Sequence, residues 1–216
     1  PARGGSKRIP KKNIQDLCGQ PLLTRYIDRL KSLRILDEII VSSEDKEILA
    51  IASSSGAMQH TRNASIADDF TSSDAVIASV CRERQFPATD IIICVYPASV
   101  LFPLKKLEAE LVQQLRQSRP VITIYQQSHP LERALRLNAH DRVEMKNPAY
   151  GDSRTQDFEA TYFDAGQFYI GTAANWTNGF DFLNDGATPI ILKSTEFIDV
   201  DTMTDLEQLR KVWAAQ

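Results

Sequence analysis

Cysteine is scarce in this 216-residue chain, and long apolar runs do not occur in it. The three cysteines, Cys18, Cys81 and Cys94, are scattered and form no C-x-x-C or Cys/His zinc pattern, which excludes a disulfide framework and indicates a reducing, cytoplasmic compartment. No apolar stretch approaches the roughly 20 residues of a bilayer-spanning helix, so we expect no membrane partner.

An excess of positive charge is also missing, because the formal net charge is −3. Nucleic-acid-binding domains usually carry a net basic surface, so we expect no nucleic-acid partner. The balance of 43% hydrophobic and 25% charged residues is that of an ordinary globular protein. At this length we expect one domain that spans residues 1–216.

Against this acidic background, the chain begins with a cluster of cations and glycines. Gly4 and Gly5 allow a tight turn that brings backbone N–H groups against an anion, and Arg3, Lys7 and Lys12 can supply charge from the sides. The spacings G-x-x-x-x-G-K-[ST] and G-x-G-x-x-G are both absent, which argues against a simple ATPase or dehydrogenase. The cluster predicts a polyphosphate site, and the alternative is a basic disordered tail or a targeting signal.

Helical and strand patterns alternate along most of the chain. Helices are predicted over 22–33, 44–56, 72–81 and 103–115 and from about Met203, and strands over 38–43, 90–96, 120–125, 162–170, 189–193 and 197–200. Such alternation predicts an α/β protein with a Rossmann-like, mostly parallel sheet that is covered by helices on both faces.

Two irregularities interrupt this pattern. Residues 126–161 predict an excursion with a short β-hairpin, which we expect to serve as a lid or a dimer contact. A phosphate-binding loop of an α/β fold normally follows a strand, so we also expect that a first strand of about five or six residues is missing ahead of Pro1.

Near the other end of the chain, Asp199 and Asp201 lie two positions apart on a segment that we expect to be extended. Their carboxylates would point to the same side and repel each other unless a cation sat between them. Hard oxygen ligands of this kind suit Mg²⁺, which shares its coordination with substrate phosphates. The alternative is a pair of solvated acids ahead of a helix that Thr202 and Asp205 cap.

Two further polar segments are candidates for substrate contacts. Arg62 opens a connection that ends at Asp68 and Asp69, in which the guanidinium could reach a phosphate and the acids a ribose hydroxyl, although a plain surface loop is the alternative. A carboxylate substrate favours a guanidinium for bidentate recognition, which Arg154 or Arg133 could supply.

Together these motifs resemble the cytidylyltransferases that activate nonulosonic (sialic-type) acids. The resemblance covers nearly the whole chain and depends on residues 2–13, 40–43, 62–69 and 198–202. Residues 164–169, with the sequence Asp-Ala-Gly-Gln-Phe-Tyr, look like the branch that acts on pseudaminic acid. Residues 97–100 depart from the family, because Pro-Ala-Ser-Val stands where Pro-Thr-x-Pro is usual, which affects a sugar or nucleotide contact.

The resemblance implies that CTP lies across the opening loop and that the anomeric hydroxyl of the sugar acid attacks the α-phosphate, giving a CMP-sugar and pyrophosphate. It implies nucleotide contacts from Arg3, Gly4, Gly5, Ser6, Lys7, Lys12 and Arg62, Mg²⁺ ligation by Asp199 and Asp201 with Lys12 also catalytic, and sugar contacts from Arg133, Arg154, Gln156, Asp164 and Gln167. It further implies a homodimer. The alternatives are a related enzyme for another sugar acid, such as N-acetylneuraminate, and a non-catalytic nucleotide-binding relative.

Overall fold

The structure is a computed structural model that describes residues 1–66, 71–117 and 119–215. The described helices are α1 (Leu22–Lys31), α2 (Lys46–Ser54), α3 (Ser73–Glu83), α4 (Leu104–Gln117), α5 (Ala173–Thr177) and α6 (Met203–Ala214). The described strands are β1 (Ile40–Ser43), β2 (Met58–Thr61), β3 (Ile91–Val95), β4 (Val121–Gln126), β5 (Leu135–Leu137), β6 (Val143–Met145), β7 (Tyr162–Thr172) and β8 (Thr188–Leu192).

Side-chain caps explain where three of the helices begin. The Asp45 carboxylate accepts hydrogen bonds from the first turn of α2, and the Ser72 hydroxyl accepts one from the Ala75 N–H at the start of α3. At α6, the Thr202 hydroxyl accepts the Asp205 N–H, while the Asp205 carboxylate accepts the Thr202 N–H at 2.7 Å. The predicted capping box is therefore present.

Four strands form the main sheet in the order β3–β7–β4–β8. Strand β7 is antiparallel to both β3 and β4, whereas β4 and β8 are parallel, so β3, β4 and β8 share one direction. The predicted α/β class is confirmed, with β7 as the antiparallel member. Periodicity could not reveal this direction, because a buried strand has the same pattern in either orientation.

The sequence prediction was wrong or incomplete in three segments. The strand expected at residues 197–200 does not form, and the Val200 carbonyl instead accepts a hydrogen bond from the Lys12 ammonium. Strand β2 and helix α5 were not predicted. Both are short, and β2 carries exposed polar residues that give no apolar alternation.

Strands β1 and β2 pair in parallel with each other and form a sheet separate from the main one. A cleft of about 410 Å³ lies between β1 and β3. The Ala2 N–H reaches β1 and donates to the Ser42 carbonyl at 2.9 Å. Where sequence reasoning expected one continuous sheet, the structure has two sheets with an apolar cleft between them.

The main core places the two ends of the chain side by side. Ile9 follows the glycine loop and is fully buried in the same cluster as Val200, Leu206 and Leu209. Burying these side chains together removes apolar surface from water and so stabilises the contact between residues 1–17 and the start of α6. The fold therefore brings the opening loop to the segment that carries Asp199 and Asp201.

The predicted hairpin is present in the excursion, as strands β5 and β6 with Leu135 opposite Met145. Leu135, Leu137 and Val143 on this hairpin are exposed to 58%, 65% and 66%. Within the part of the chain that the structure describes, no helix is long and apolar enough to cross a membrane.

Candidate nucleotide and metal site

The opening loop and the Asp-x-Asp segment meet through two cations. The Arg8 guanidinium donates to Asp201 Oδ2 at 2.8 Å and lies 2.7 Å from Oδ1, which is a bidentate pair. The Lys12 ammonium donates to the Val200 carbonyl at 2.8 Å and lies 4.0 Å from Asp201 Oδ1. Residues that are about 190 positions apart in sequence thus form one charged cluster.

The electrostatics of this cluster favour a bound cation. Burial raises the pKa of the Asp199 carboxyl, and the charge of Asp201 raises it further. Burial lowers the pKa of the Lys12 ammonium, while Asp201 and Asp199 act in the opposite direction. A cation between the two carboxylates would offset the repulsion that Asp201 exerts on the charged form of Asp199.

The donor set fits Mg²⁺. No cluster of three or more His, Cys, Asp or Glu side chains with metal-binding geometry occurs within residues 1–66, 71–117 and 119–215. Mg²⁺ commonly uses one or two carboxylates and fills its remaining positions with water and substrate phosphates. Asp199 and Asp201 next to a cationic loop match that requirement.

A second group of contacts holds the glycine turn in place. The sequence predicted that the backbone N–H groups of the glycine turn are free to bind an anion. In the structure the Gly4 N–H instead donates to a protein carboxylate, Glu44 Oε1, at 2.7 Å. A Cβ atom on Gly4 would lie 2.5 Å from Asp45 Oδ2. Glycine is required at this position because the turn packs directly against the start of α2.

Arg62 stabilises this turn through Ser42 and Glu44. Its side chain is only 4% exposed, its Nη2 donates to the Ser42 carbonyl at 2.9 Å, and its Nη1 lies 3.7 Å from Glu44 Oε2. Burial lowers the pKa of the Arg62 guanidinium, and Glu44 partly offsets this effect. The predicted phosphate ligand therefore also neutralises the carboxylate that holds Gly4. Asp68 and Asp69 lie outside the described residues.

The remaining loop residues lie on the same turn. Gly5 and Lys7 are exposed, whereas Arg3 and Ser6 are half-buried, and the Ser6 N–H donates to the Gly4 carbonyl at 3.0 Å. The buried Asn13 amide donates to the Arg3 carbonyl at 2.8 Å and fixes the backbone there. Glu44, Asn13 and Arg8 were not among the predicted site residues, because their roles depend on contacts that the spacing of residues does not reveal.

Three of the predicted sugar-contacting residues lie on the excursion, where Arg133 and Arg154 contact other residues of the excursion. The Arg154 guanidinium is 72% exposed and pairs with Asp157 at 3.1 Å. The Arg133 guanidinium donates to Thr155 Oγ1 at 3.4 Å, next to Gln156. Among the described residues, the contacts of Arg133 and Arg154 are with Thr155 and Asp157 and not with Asp199 or Asp201, and the assignment of Arg133, Arg154 and Gln156 to the sugar stays a prediction.

The other two predicted sugar contacts lie on β7. Asp164 accepts hydrogen bonds from the Tyr169 hydroxyl and from the Gly166 N–H. The buried Gln167 amide donates to the Ala165 carbonyl at 2.8 Å, and its Oε1 has no hydrogen-bond partner among the described residues. A buried carbonyl oxygen without a hydrogen-bond partner destabilises the folded protein, so a ligand that donates a hydrogen bond to Gln167 Oε1 would bind favourably.

Two tyrosines near these residues, Tyr96 and Tyr169, were not among the predicted site residues. Tyr96 follows β3, and its ring meets that of Tyr169 edge-on with centroids 6.3 Å apart. Burial raises the pKa of both hydroxyls, and at Tyr169 the Asp164 carboxylate adds to the effect. They therefore remain neutral donors at neutral pH. Ligands of α/β sheets commonly bind beyond the carboxyl ends of parallel strands, which is where Tyr96 lies.

A glycine- and cation-rich loop beside an Asp-x-Asp pair, on an α/β core, defines a nucleotide-binding protein of the nucleotidyltransferase class. The chain belongs to the cytidylyltransferase family, whose sequence profile matches residues 1–216.

Similar proteins support this assignment. The chain is 34% identical over 213 residues to the pseudaminic acid cytidylyltransferase of Campylobacter jejuni subsp. jejuni serotype O:2, covering 96% of this chain and 91% of that protein. It is 35% identical, with the same coverage, to the enzyme of the same name from serotype O:23/36. The solved structure of a CMP:2-keto-3-deoxy-manno-octonic acid synthetase complexed with CTP has the same fold, with a TM-score of 0.71 at 18% identity, and the match covers 100% of this chain and 96% of that one.

Proposed function

We propose that this chain transfers CMP from CTP to the anomeric hydroxyl of a nonulosonic acid, with pseudaminic acid as the substrate. The observation that carries the proposal is the contact between the opening loop and Asp201, because it places cations and carboxylates around one site. The identity to two pseudaminic acid cytidylyltransferases supports the choice of sugar acid.

In this reaction the sugar hydroxyl oxygen forms a bond to the α-phosphorus of CTP and releases its proton to solvent, the bond from that phosphorus to the bridging oxygen breaks, and pyrophosphate leaves. Lys12 and the neighbouring cations would neutralise the charge that develops on the phosphates. Asp199 and Asp201 would hold Mg²⁺, which when bound would polarise the phosphate oxygens. Glu44 and Arg62 keep the Gly4 turn in a fixed position, so the loop is organised before CTP arrives.

On the sugar side, we propose that Asp164 and Gln167 contact the substrate from β7. The unpaired Gln167 Oε1 is suited to accept a hydrogen bond from a hydroxyl or an amide N–H of the sugar acid. Tyr169 holds the Asp164 carboxylate through its hydroxyl and so orients it. Gln167→Glu and Gln167→Leu are matched variants: both remove the amide, and only the first keeps an acceptor.

The test is an incubation of the protein with CTP, Mg²⁺ and pseudaminic acid, with release of pyrophosphate as the measurement. N-acetylneuraminate, legionaminate and a Kdo-like acid in parallel reactions would identify a different substrate. Release with none of them would refute the proposal, and calorimetric CTP binding without release would indicate a non-catalytic relative. Asp201→Asn should abolish release, whereas Lys11→Ala on the same loop should not.

We further propose that the protein works in the cytoplasm as a homodimer that uses the β5–β6 hairpin. The exposed Leu135, Leu137 and Val143 form an apolar patch on a projecting element, and such patches commonly mark protein interfaces. Analytical ultracentrifugation should show a dimer, and Leu137→Asp should convert it to a monomer. A monomeric parent protein would contradict this assignment.

A further inference from the structure

Strand β7 is irregular opposite a single residue of β4, Thr123. The register between β4 and β7 shifts between Ile122 and Ile124, so residues 165–168 of β7 stand opposite Thr123 alone. The register between β4 and β8 continues through Thr123 without a shift, so the irregularity belongs to β7. We refer to residues 165–168 as the β7 bulge. Bulges are common next to active sites, where they change the direction of a side chain.

The β7 bulge lies where the pairing of β7 with β3 ends. The last pair in that direction joins Val95 to Phe168, and Tyr96 follows the end of β3. Ligands of α/β proteins commonly bind beyond the carboxyl ends of parallel strands. The bulge is therefore at the end of the sheet where we expect the substrate.

The Thr123 hydroxyl holds the β7 bulge through three hydrogen bonds. Its Oγ1 accepts the Gln167 N–H and the Phe168 N–H, each at 3.2 Å, and donates to the Phe168 carbonyl at 3.1 Å. A hydroxyl has one hydrogen to donate and two lone pairs, so these bonds use its full capacity. Thr123 is fully buried, and a buried N–H group that loses its acceptor destabilises the conformation that buries it. The conformation of the bulge therefore depends on this hydroxyl.

Gly166 gives the bulge a backbone conformation that other residues rarely adopt. Its φ is +58°, in the left-handed region. A Cβ atom at this position would lie more than 4 Å from the heavy atoms of the described residues other than its chain neighbours. A substitution at Gly166 would therefore strain the backbone of the bulge without displacing a packed side chain.

Both side chains that we propose to contact the sugar acid from β7 are bonded to the backbone of the bulge. The Asp164 carboxylate accepts the Gly166 N–H at 2.8 Å. The Gln167 side-chain amide donates to the Ala165 carbonyl at 2.8 Å, and this contact sets the direction of its Oε1. A change in the backbone of the bulge therefore moves both side chains.

We propose that Thr123 is a positioning residue for the sugar acid. Its hydroxyl fixes the β7 bulge, and the bulge sets the positions of the Gln167 Oε1 atom and of the Asp164 carboxylate. The identity of the ligand rests on the function proposed above. The contact of the hydroxyl with the bulge is a property of the sheet and can be measured without the reaction.

The test compares Thr123→Val with Thr123→Ser. Valine keeps the shape of the side chain and removes the hydroxyl, whereas serine keeps the hydroxyl and removes the methyl group. Amide hydrogen exchange is followed by NMR at Gln167 and Phe168, with Ile170 on the regular part of β7 as the internal reference. We expect Thr123→Val to speed exchange at the two bulge amides by at least about tenfold and to leave Ile170 unchanged, and Thr123→Ser to stay within about threefold of the parent protein.

Steady-state kinetics measures the effect on the sugar acid. We expect Thr123→Val to raise the KM for pseudaminic acid by about tenfold and to change the KM for CTP by less than about twofold, because the opening loop is held by other contacts, those of Gly4 and Arg8. Thr123→Ser should restore the KM for the acid to within about threefold of the parent value.

A second pair of variants perturbs the bulge and leaves Thr123 in place. Gly166→Ala should raise the KM for the sugar acid several-fold, because alanine disfavours a positive φ. Gly186→Ala is its matched control, since Gly186 has a φ of +80° with equally open surroundings but lies outside the bulge. An unchanged KM for the acid in Gly166→Ala would show that the bulge does not position the ligand and would overturn the proposal.

Three results with the Thr123 variants would also overturn it. These are parental exchange rates at Gln167 and Phe168 in Thr123→Val, equal increases of the KM for CTP and for the acid, and a serine variant as impaired as the valine variant, which would assign the effect to the methyl group.

Failure of the proposed reaction gives a different result. A parent protein that binds pseudaminic acid in calorimetry but releases no pyrophosphate would refute the reaction, and about tenfold weaker binding of the acid to Thr123→Val would still support the positioning role. Unaltered binding by that variant would refute the positioning role as well.

Discussion

Removing Arg8 should strengthen the binding of Mg²⁺ to the protein without nucleotide. The Arg8 guanidinium holds both oxygens of Asp201, at 2.8 Å and 2.7 Å, which is the carboxylate that the metal would need. Mg²⁺ must therefore displace the guanidinium or share the carboxylate with it. Either route makes the pair a competitor of the metal.

The size of the effect follows from the exposure of the pair. Arg8 and Asp201 side chains are 68% and 36% exposed, and solvent-exposed ion pairs contribute up to about 1 kcal/mol. The bidentate geometry places this pair toward the upper part of that range. A difference of about 1 kcal/mol corresponds to roughly a fivefold change in Kd, so Arg8→Ala should lower the Kd for Mg²⁺ by up to about fivefold.

Titration calorimetry with MgCl₂, or electron paramagnetic resonance with Mn²⁺ as a probe, measures this change directly. Lys11→Ala is the matched control, because it removes one positive charge from the same loop, but Lys11 pairs with Glu47 rather than with Asp201. The difference between the two variants should shrink as salt is added. If Arg8→Ala and Lys11→Ala bind the metal equally well, the reasoning is wrong.

Other consequences can be tested on the fold. At pH 8 we expect a thiol reagent to label Cys18 alone, because burial raises the pKa of Cys81 and of Cys94 to about 11, and to label three thiols after unfolding; rapid labelling of a second thiol in the native protein would contradict this. Phe168→Ala should lower the free energy of unfolding by about 3–5 kcal/mol in urea titrations, since the ring is fully buried and meets the Phe102 ring edge-on, with the ring centroids 4.6 Å apart. Leu183→Ala, at a position that is 69% exposed, should change the free energy of unfolding little. Equal losses in the two variants would show that this core packing is not what stabilises the fold.

Much of the fold could be predicted because its elements obey local rules. The helix that begins at Met203 is specified by Thr202 and Asp205, and β3 by a run of β-branched residues. The segment 197–200, where the predicted strand does not form, is also mostly apolar, but the Lys12 ammonium donates a hydrogen bond to its Val200 carbonyl. Tertiary contacts of this kind decide whether a strand forms, and a local sequence pattern does not predict them.

The candidate site also has some residues that local sequence features predict and others that depend on tertiary contacts. The cations of the loop and the Asp-x-Asp pair were recognisable because charge of one sign in a short run is a local feature. Arg8, Glu44 and Asn13 each act through a partner that lies on another element or across the turn. Arg154 had the right chemistry for a carboxylate, yet in the structure it pairs with Asp157 three positions away.

These contacts also explain why the two ends of the chain depend on each other. The opening loop carries a dense positive charge, which by itself would repel and disorder the turn. Glu44 compensates it on the side of β1, and Asp201 compensates it on the side of α6. In the proposed reaction, Asp199 and Asp201 would hold Mg²⁺, and the cations of the loop would hold the triphosphate. The loop would then exchange internal partners for ligand atoms at nearly constant net charge, so we expect the binding of metal and the binding of nucleotide to depend on each other.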